Sequence, residues 1–358
     1  MASSNFTSIP TIDLSKITSP SSKAKLLYDL RHALLSVGFL YVTNHSVPDH
    51  VIKELVNALP LLFDLPSFAK NEVALQNSSH FLGYSETGAE TTAGKVDARE
   101  QFEFSTELID DWTPENLLAD RLKGPNQWPS AYPELRQVVE RYIEELTRLS
   151  EKFLELVAEA LDLPPTTFLS FLSDQHRLKL VHYPQSLPGV TDGQGVGPHK
   201  DSSGWWTFLL QASDPSVKGL QALNKSGDWI DVPNIPGTFV VNIGQGFEVV
   251  TNGVCKATTH RVLSGPSERF GVPFFQGMRR DLTKEEAVGT LKEHFEAGRF
   301  AREEVGMESQ EGRQIDSAFL RGKYDTWGET QLRTKIRSHR DVGRKFYGDV
   351  FEKYTNDD

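Results

Sequence analysis

Cysteine is nearly absent from this chain, in which Cys255 is the only thiol among 358 residues. A single cysteine cannot form a disulfide within the chain, so we expect a reducing compartment. Positive charge is also in deficit, because 38 Lys and Arg residues stand against 49 Asp and Glu residues. Nucleic-acid surfaces need clustered Lys and Arg, so the formal net charge of −11 argues against a nucleic-acid partner.

Long hydrophobic runs are missing too, since no apolar stretch approaches the roughly 20 residues that a membrane helix needs. The first seven residues contain neither the basic nor the apolar region of a secretory signal. We therefore expect a cytoplasmic protein that contacts no membrane and exists as a monomer or a weak homodimer. Hydrophobic residues still make up 38% of the chain, which is enough for a large buried core.

Helices are predicted towards both ends of the chain and strands in its middle. Apolar residues recur at helical intervals over 21–37, where Gly38 would end the helix, and over 134–162. Short runs of β-branched and aromatic residues then alternate with turn-forming residues. These runs are 178–183, 206–211, 219–223, 228–232, 238–243, 257–263 and 269–275. The pattern is typical of a β-sandwich or jelly roll, so we expect an α+β fold built on one β core.

The same patterns divide the chain into four regions. Residues 1–120 are expected to form an N-terminal α/β region that packs on the core, and residues 121–176 a long helical support. Residues 177–280 form the β core, and residues 281–358 a C-terminal helical region. In that last region Arg333, Lys335 and Arg337 could meet an acidic substrate, although a solvated helix face is the simpler interpretation.

The sharpest cluster of metal-binding residue types is His199-Lys200-Asp201, followed much later by His260. Residues i and i+2 of a strand point to one side, so His199 and Asp201 can converge on one ion. Two imidazoles and one carboxylate on one face suit non-haem Fe(II) and leave positions open for O2. Two ordinary polar residues at strand ends are the alternative for the histidines. His339 and Asp341 have the same spacing but lie in a helical stretch, where such side chains diverge.

A second feature of this region is Arg269, which follows His260 by nine residues. Residues 264–268 contain Gly, Pro and Ser, which predicts a hairpin loop between two antiparallel strands. Arg269 would then open the return strand and could pair with a carboxylate inside the β core. A surface arginine at the edge of a loop is the alternative interpretation.

Several short motifs in one order resemble the isopenicillin N synthase-like branch of the 2-oxoglutarate and Fe(II)-dependent oxygenases. The N-terminal pieces are Ile-Pro-Thr-Ile-Asp at 9–13, Gly-Phe-Leu-Tyr-Val-Thr-Asn-His at 38–45 and Leu-Phe-Asp-Leu-Pro at 62–66. The core pieces are Pro-His-Lys-Asp at 198–201, Val-Asn-Ile-Gly at 241–244, Thr-Asn-Gly at 251–253, His-Arg-Val at 260–262 and Val-Pro-Phe-Phe at 272–275. The resemblance covers nearly the whole chain.

This resemblance implies a double-stranded β-helix, a jelly roll of cupin type, flanked by N-terminal and C-terminal helices. It implies an Fe(II) ion held by His199, Asp201 and His260, with 2-oxoglutarate as co-substrate and O2 as oxidant. Arg269 and Tyr183 would bind the distal carboxylate of 2-oxoglutarate, and Lys179 falls where many members carry a basic residue of the same pocket. The expected reaction is hydroxylation, desaturation or cyclisation of a small molecule such as an amino acid or a secondary metabolite.

The chain departs from the family pattern at two places in the co-substrate pocket. The usual Arg-x-Ser is Arg-Phe-Gly at 269–271, and the usual Asn-x-Tyr-Pro is Val-His-Tyr-Pro at 181–184. The serine hydroxyl and the asparagine are therefore missing, which leaves open a 2-oxoglutarate-independent Fe(II) oxidase of the same fold.

Residues 83–95 resemble a stretch of the microbial ethylene-forming oxygenases, which fragment 2-oxoglutarate while oxidising arginine. In that group the loop that matches Glu90 and Thr92 lines the amino-acid pocket, where a carboxylate would pair with a guanidinium. Further candidates for substrate contact are Arg99, Gln101, Phe104, Lys200, Trp205, Trp206 and Phe247. For the two tryptophans, packing in the core is the alternative.

Overall fold

The computed structural model describes residues 5–356 except 93, 187–192, 203, 298–299 and 301–316. Ala93, in the stretch that resembles ethylene-forming enzymes, therefore lies outside the described residues. Within the described residues, the α-helices are α1 (Pro20–Ser36), α2 (Asp49–Phe63), α3 (Ser67–Glu72), α4 (Leu135–Ala160), α5 (Gln245–Val250), α6 (Lys284–Gly289), α7 (Lys292–Glu296), α8 (Ala318–Arg321), α9 (Trp327–Ser338), α10 (Arg340–Phe346) and α11 (Gly348–Thr355).

The strands cluster between residues 177 and 276, with a smaller group near the N-terminus. They are β1 (Thr11–Asp13), β2 (Phe39–Thr43), β3 (Gly83–Ser85), β4 (Thr91–Thr92), β5 (Lys95–Val96), β6 (Glu100–Ser105), β7 (Arg177–Tyr183), β8 (Gln194–His199), β9 (Trp206–Gln211), β10 (Leu220–Leu223), β11 (Trp229–Asp231), β12 (Thr238–Ile243), β13 (His260–Leu263) and β14 (Arg269–Gln276). Each predicted run coincides with a strand, and helices precede and follow them, so the α+β prediction is confirmed.

Two sheets form the β core. The major sheet has the order β1-β2-β12-β9-β14-β7-β6-β3, and the minor sheet has the order β11-β10-β13-β8. Their facing sides pack on each other through apolar side chains such as Val181 of β7, Val196 of β8 and Val262 of β13. The N-terminal strands β1, β2, β3 and β6 extend the major sheet itself.

The opposite side of the major sheet is covered by the long helix α4. Its apolar residues recur every three or four positions, so they form one stripe, which includes Leu146, Leu149 and Phe153. Phe153 meets Trp206 and Phe208 of β9 edge to face, with ring centroids 5.5 and 5.6 Å apart. This packing holds the sheet rigid on the side away from the cavity.

The predicted hairpin between β13 and β14 is wrong. β13 pairs with β8 and β10 in the minor sheet, whereas β14 pairs with β7 and β9 in the major sheet. Residues 264–268 therefore carry the chain from one sheet to the other, as a jelly roll requires. The position of Arg269 at the start of β14 is confirmed.

None of the described helices combines the length and the apolar character that a membrane crossing requires. The expected cytoplasmic location and the monomer or weak homodimer stay predictions.

Gly38 joins helix α1 to strand β2 and touches the segment that leads to β13. Its backbone N–H donates to the carbonyl of Ala33, 2.9 Å away, and its φ of +73° lies in the left-handed region. A Cβ atom at this position would overlap the side chain of Thr258 and the backbone oxygen of Lys256. The side chain of Thr258 in turn donates to the carbonyl of Val37 at 2.6 Å. Glycine is therefore required at position 38 for two reasons: no Cβ atom fits there, and φ is positive.

We expect Gly38→Ala to destabilise the fold more than Gly237→Ala. Gly237 has a similar φ of +75° but no atom within 4 Å of its built Cβ, so it is a control for backbone strain alone. Strain costs about 1 kcal/mol in both variants, and overlap with Thr258 adds about 1–3 kcal/mol at Gly38. Urea unfolding measures the difference, and equal losses would contradict the close approach.

Candidate metal centre and cavity

Three metal-binding side chains meet where β8 ends and β13 begins. His199 is the last residue of β8, His260 is the first of β13, and the two pair directly across the minor sheet. Oδ1 of Asp201 lies 3.5 Å from Nε2 of His199 and 3.6 Å from Nε2 of His260. Among the described residues, no other group of three His, Cys, Asp or Glu side chains is arranged to hold a metal ion. The pair His339 and Asp341 is not part of it, as its helical setting predicted.

The carboxylate of Asp201 reaches the histidines from a loop. β8 ends at His199, so the prediction that both residues lie on one strand is wrong, although their convergence is confirmed. Thr207 of β9 and Asn242 of β12 both donate to Oδ2 of Asp201, at 2.5 and 2.7 Å. These bonds occupy one carboxylate oxygen and leave Oδ1 turned towards the imidazoles.

Backbone carbonyls orient both imidazole rings. Nδ1 of His199 lies 2.8 Å from the carbonyl of Gly197, and Nδ1 of His260 lies 3.1 Å from the carbonyl of Thr258. A carbonyl only accepts, so each Nδ1 carries the proton and each Nε2 keeps a free lone pair. Metal-binding histidines are commonly fixed in this way.

The protonation states also suit a metal ion. Burial alone would raise the pKa of Asp201, but His260, His199 and Thr207 outweigh it and hold that pKa below its usual range. Burial and the neighbouring His199 lower the pKa of His260 to about 4. At neutral pH the carboxylate is therefore ionised and His260 is neutral, the forms that bind metal. Two nitrogens and one oxygen on one face fit Fe(II).

A cavity of about 270 Å³ runs between the two sheets from this cluster. Its middle section is apolar and is lined by Val181, Val196, Leu209, Leu220 and Val262. Arg269 and Tyr183, which pair across β14 and β7, line its deep end. Phe275 lies six positions after Arg269 on β14 and is level with Thr207 beside the metal cluster. The Arg269 side chain extends back along the strand towards that cluster, because its Nη1 atom lies 3.5 Å from the position of a Cβ atom on Gly271.

Arg269 is buried without a negative partner. Its side chain is only 4% exposed, so the alternative of a surface arginine is wrong. Nη2 donates to Oε1 of Gln211 at 3.3 Å, and the guanidinium lies 5.1 Å from the centre of the Tyr183 ring. Within the described part of the chain, no carboxylate lies within ion-pairing distance of it. Burial lowers the pKa of Arg269, which reflects the cost of an uncompensated charge.

Gly271 leaves room beside this guanidinium. A Cβ atom built there would lie 3.5 Å from Nη1 of Arg269 and 3.7 Å or more from Leu209 and Tyr183, which is ordinary contact. Crowding therefore does not explain why glycine replaces the serine of the family pattern.

Charged residues surround the other end of the cavity. Oε1 of Glu103 accepts from Nη1 of Arg177 at 2.5 Å and from Nζ of Lys335 at 2.7 Å. Nζ of Lys179 lies 3.7 Å from Glu103 and 3.6 Å from Glu90. The predicted contact of Lys179 with 2-oxoglutarate stays a prediction. The side chain of Lys335 is 18% exposed and paired, so a solvated helix face is the wrong interpretation for this residue.

Glu90 is held by partners within the protein. Its Oε2 accepts from Nη2 of Arg99 at 2.6 Å, and its Oε1 accepts from Nε2 of Gln101 at 2.7 Å. Burial would raise the pKa of Glu90, but Lys179 and Arg99 together lower it to about 2. Thr92 donates to Asp97 rather than facing an open pocket.

The aromatic candidates for substrate contact lie in the hydrophobic core. Trp205 and Trp206 pack against Phe247, with ring centroids 5.1 and 4.8 Å apart, and Phe104 stacks on Trp128. The structure does not bring these side chains to the cavity wall. Of the remaining candidates, Arg99 and Lys200 line the cavity.

Sequence reasoning did not single out Glu103 and Arg177. Both were detectable by alternation, because Gln101, Glu103 and Ser105 of β6 alternate with phenylalanines. Arg177 likewise stands two residues before Lys179, so it shares the inward face of β7. A buried strand with polar residues on one face indicates a polar cavity.

Two families match separate parts of the chain. Residues 9–131 match the family described as non-haem dioxygenase in morphine synthesis N-terminal. Residues 175–277, which contain the three metal-binding side chains and Arg269, match the 2OG-Fe(II) oxygenase superfamily.

Known proteins are similar over most of their length. The 2-oxoglutarate-dependent dioxygenase frbJ of Dothideomycetidae sp. (strain 11243) is 42% identical over 354 residues, which cover 96% of this chain and 92% of that protein. Homoarginine-6-hydroxylase 2-ODD-233 of Oryza sativa subsp. japonica is 31% identical, covering 79% and 89%. The crystal structure of full-length Neurospora crassa T7H with alpha-KG aligns with a TM-score of 0.68 at 23% identity, covering 93% and 98%. That likeness confirms the double-stranded β-helix fold.

We expect Asn242→Ala to weaken Fe(II) binding by about 10–100-fold, because Asp201 loses a bond that orients it. Asn224→Ala is the matched control, since Asn224 is equally buried but bonds to Phe6 and Asp228. Anaerobic titration calorimetry with Fe(II) measures both affinities. Identical affinities in the two variants would show that Asn242 does not support the metal ligand.

Proposed function

Because this chain belongs to the 2OG-Fe(II) oxygenase superfamily, we propose that it oxidises a C–H bond of a small molecule such as an amino acid or a secondary metabolite. The reaction would be a hydroxylation, desaturation or cyclisation. Fe(II) and 2-oxoglutarate are its cofactors, and O2 is the oxidant. One observation carries the proposal: a single cavity connects the His-Asp-His cluster with a buried arginine that has no carboxylate beside it.

Each end of the cavity has a separate task in this proposal. His199, Asp201 and His260 hold Fe(II), and Arg269 with Tyr183 binds the distal carboxylate of 2-oxoglutarate. Bound together with O2, the metal and co-substrate supply the oxidant that removes hydrogen from the substrate. The apolar section between the two ends keeps water away from the reacting atoms. Thr207 and Asn242 fix the carboxylate of Asp201, so the side chain that would bind the metal keeps one orientation.

Two other functions are less well supported. Arginine oxidation with ethylene formation would use Glu90 to bind a guanidinium, and a relative is named a homoarginine hydroxylase. However, Arg99 and Gln101 already occupy both oxygens of Glu90. In an oxidase independent of 2-oxoglutarate, Arg269 would stay buried without an anion. Membership of the 2OG-Fe(II) oxygenase superfamily is a second argument against such an oxidase.

We expect Arg269→Leu to raise the KM for 2-oxoglutarate about 100-fold, since a buried charge pair of this kind is worth several kcal/mol. Arg136→Leu, on the exposed face of α4, is the control for loss of a guanidinium far from the cavity. The assay follows succinate release with Fe(II), ascorbate and O2, and headspace gas is analysed for ethylene. An unchanged KM would refute the role of Arg269. No succinate from the wild type, or ethylene as the main product, would refute the proposed reaction.

A further inference from the structure

The cations around Glu103 form a distinct group at the metal end of the cavity. We call Arg177, Lys179, Lys335 and Glu103 the outer cluster, and all four side chains line the cavity. Arg177 pairs with Phe275, which pairs with Thr207, the residue that bonds to Asp201. The backbone of Arg177 is therefore level with the metal centre, whereas Arg269 lies six positions away from that level on β14. A molecule held by the outer cluster would not compete with one held by Arg269.

In the ion-pair network that includes the outer cluster, the cations among the described residues outnumber the carboxylates by one. The cations are Arg99, Arg177, Lys179 and Lys335, and the carboxylates are Asp97, Glu90 and Glu103. His339 also faces the group, but burial and Lys335 lower its pKa to about 4, so it adds no charge at neutral pH. Taken together, Fe(II), Asp201, Arg269 and doubly negative 2-oxoglutarate would carry no net charge. Binding of Fe(II) and 2-oxoglutarate therefore leaves the excess positive charge at the outer cluster.

The buried cations repel one another. Burial lowers the pKa of Lys335 to about 8; Glu103 opposes this, while Arg177 and Lys179 add to the lowering. Glu103, whose side chain is 1% exposed, lies near all three cations, and Lys179 also lies near Glu90. Both oxygens of Glu90 and Oε1 of Glu103 already accept bonds, whereas Oε2 of Glu103 has no hydrogen-bond partner among the described residues. An ammonium or guanidinium brought to this position would be repelled by the three cations already there. A further anion would relieve the imbalance.

We propose that the outer cluster binds the substrate's carboxylate, so that the small molecule oxidised here is an organic acid. The inference rests on the proposed function and specifies its substrate class. Lys335 and Lys179 would donate to that carboxylate, while Arg177, which already donates to Glu103 and to the backbone carbonyls of Phe81 and His80, contributes positive charge. The excess of a single positive charge fits a carboxylate better than a phosphate, which carries about −1.5 to −2.

Helix α9 places Lys335 relative to the metal. Nε2 of Gln331, one turn before Lys335, donates to the backbone carbonyl of Ser202 at 2.9 Å, and Ser202 directly follows Asp201. A carboxylate bound by Lys335 would therefore be held at a fixed position relative to the loop that carries the metal ligand. A neighbouring C–H bond of the acid would then lie beside the metal-binding side chains.

The test compares carboxylic acids with their primary amides on the anaerobic Fe(II) and 2-oxoglutarate complex. Suitable pairs are homoarginine and homoargininamide, N-acetylated amino acids and their amides, phenylacetate and phenylacetamide, and hexanoate and hexanamide. Shifts of the visible charge-transfer band report binding, and succinate release in air reports coupled turnover. We expect responsive acids to bind at least 10-fold more tightly than their amides. The preference should be lost in Lys335→Gln and kept in Lys335→Arg.

The pH dependence of acid affinity shows whether the charge of Lys335, and not only its shape, contributes to binding. Lys335 is charged below its pKa of about 8 and neutral above it, so acid affinity in the wild type should fall as pH rises through 8. Glu103 stays ionised there, because Lys335, Lys179 and Arg177 outweigh burial and hold its pKa well below the usual range. In Lys335→Arg the fall should disappear, since a guanidinium stays charged. Lys53→Gln, on the exposed surface of α2, is the control and should follow the wild type.

The outcomes are distinct. Amides that bind as tightly as acids, a better response to cationic probes, or no response to any acid would overturn the organic-acid assignment. Identical pH profiles for wild type and Lys335→Arg would overturn the role of Lys335. Absence of the charge-transfer band before any probe is added would instead refute the proposed function.

Discussion

Arg269 is charged and buried, and no carboxylate among the described residues pairs with it. The function proposed for the cavity depends on this unpaired positive charge. Gln211 and Tyr183 give the guanidinium polar and aromatic contacts, but neither is a carboxylate. An uncompensated buried charge is costly unless a ligand supplies the missing anion. The apolar section above Arg269 gives such a ligand one direction in which to extend, towards the His-Asp-His cluster.

The metal centre depends on the same two sheets. Its histidines come from paired strands of the minor sheet, while Thr207 and Asn242 of the major sheet hold the carboxylate of Asp201. Metal binding is therefore sensitive to how the sheets pack, and Gly38 beside Thr258 is one point where that packing is tight. The outer cluster adds a second charged end, so the cavity has separate positions for co-substrate and substrate.

The metal ligands and Arg269 could be predicted from the sequence because short motifs stand in a fixed order along one stretch of chain. The contact between Glu103 and Lys335 could not be predicted, since these residues are 232 positions apart and meet only where α9 packs over β6. The length of residues 264–268 does not reveal which sheet the next strand joins, which is why the hairpin prediction failed. Proximity to the metal motif likewise did not show that Trp205 points into the core.

The central claim is that Arg269 selects a co-substrate with a distal carboxylate. The most direct measurement is an anaerobic titration of the Fe(II)-loaded wild type with 2-oxoglutarate and, separately, with 2-oxopentanoate, which has the same chain length but no distal carboxylate. The visible charge-transfer band reports binding of both compounds. We expect 2-oxopentanoate to bind about 100-fold more weakly, because it cannot form the buried charge pair with Arg269. Equal affinities would contradict it.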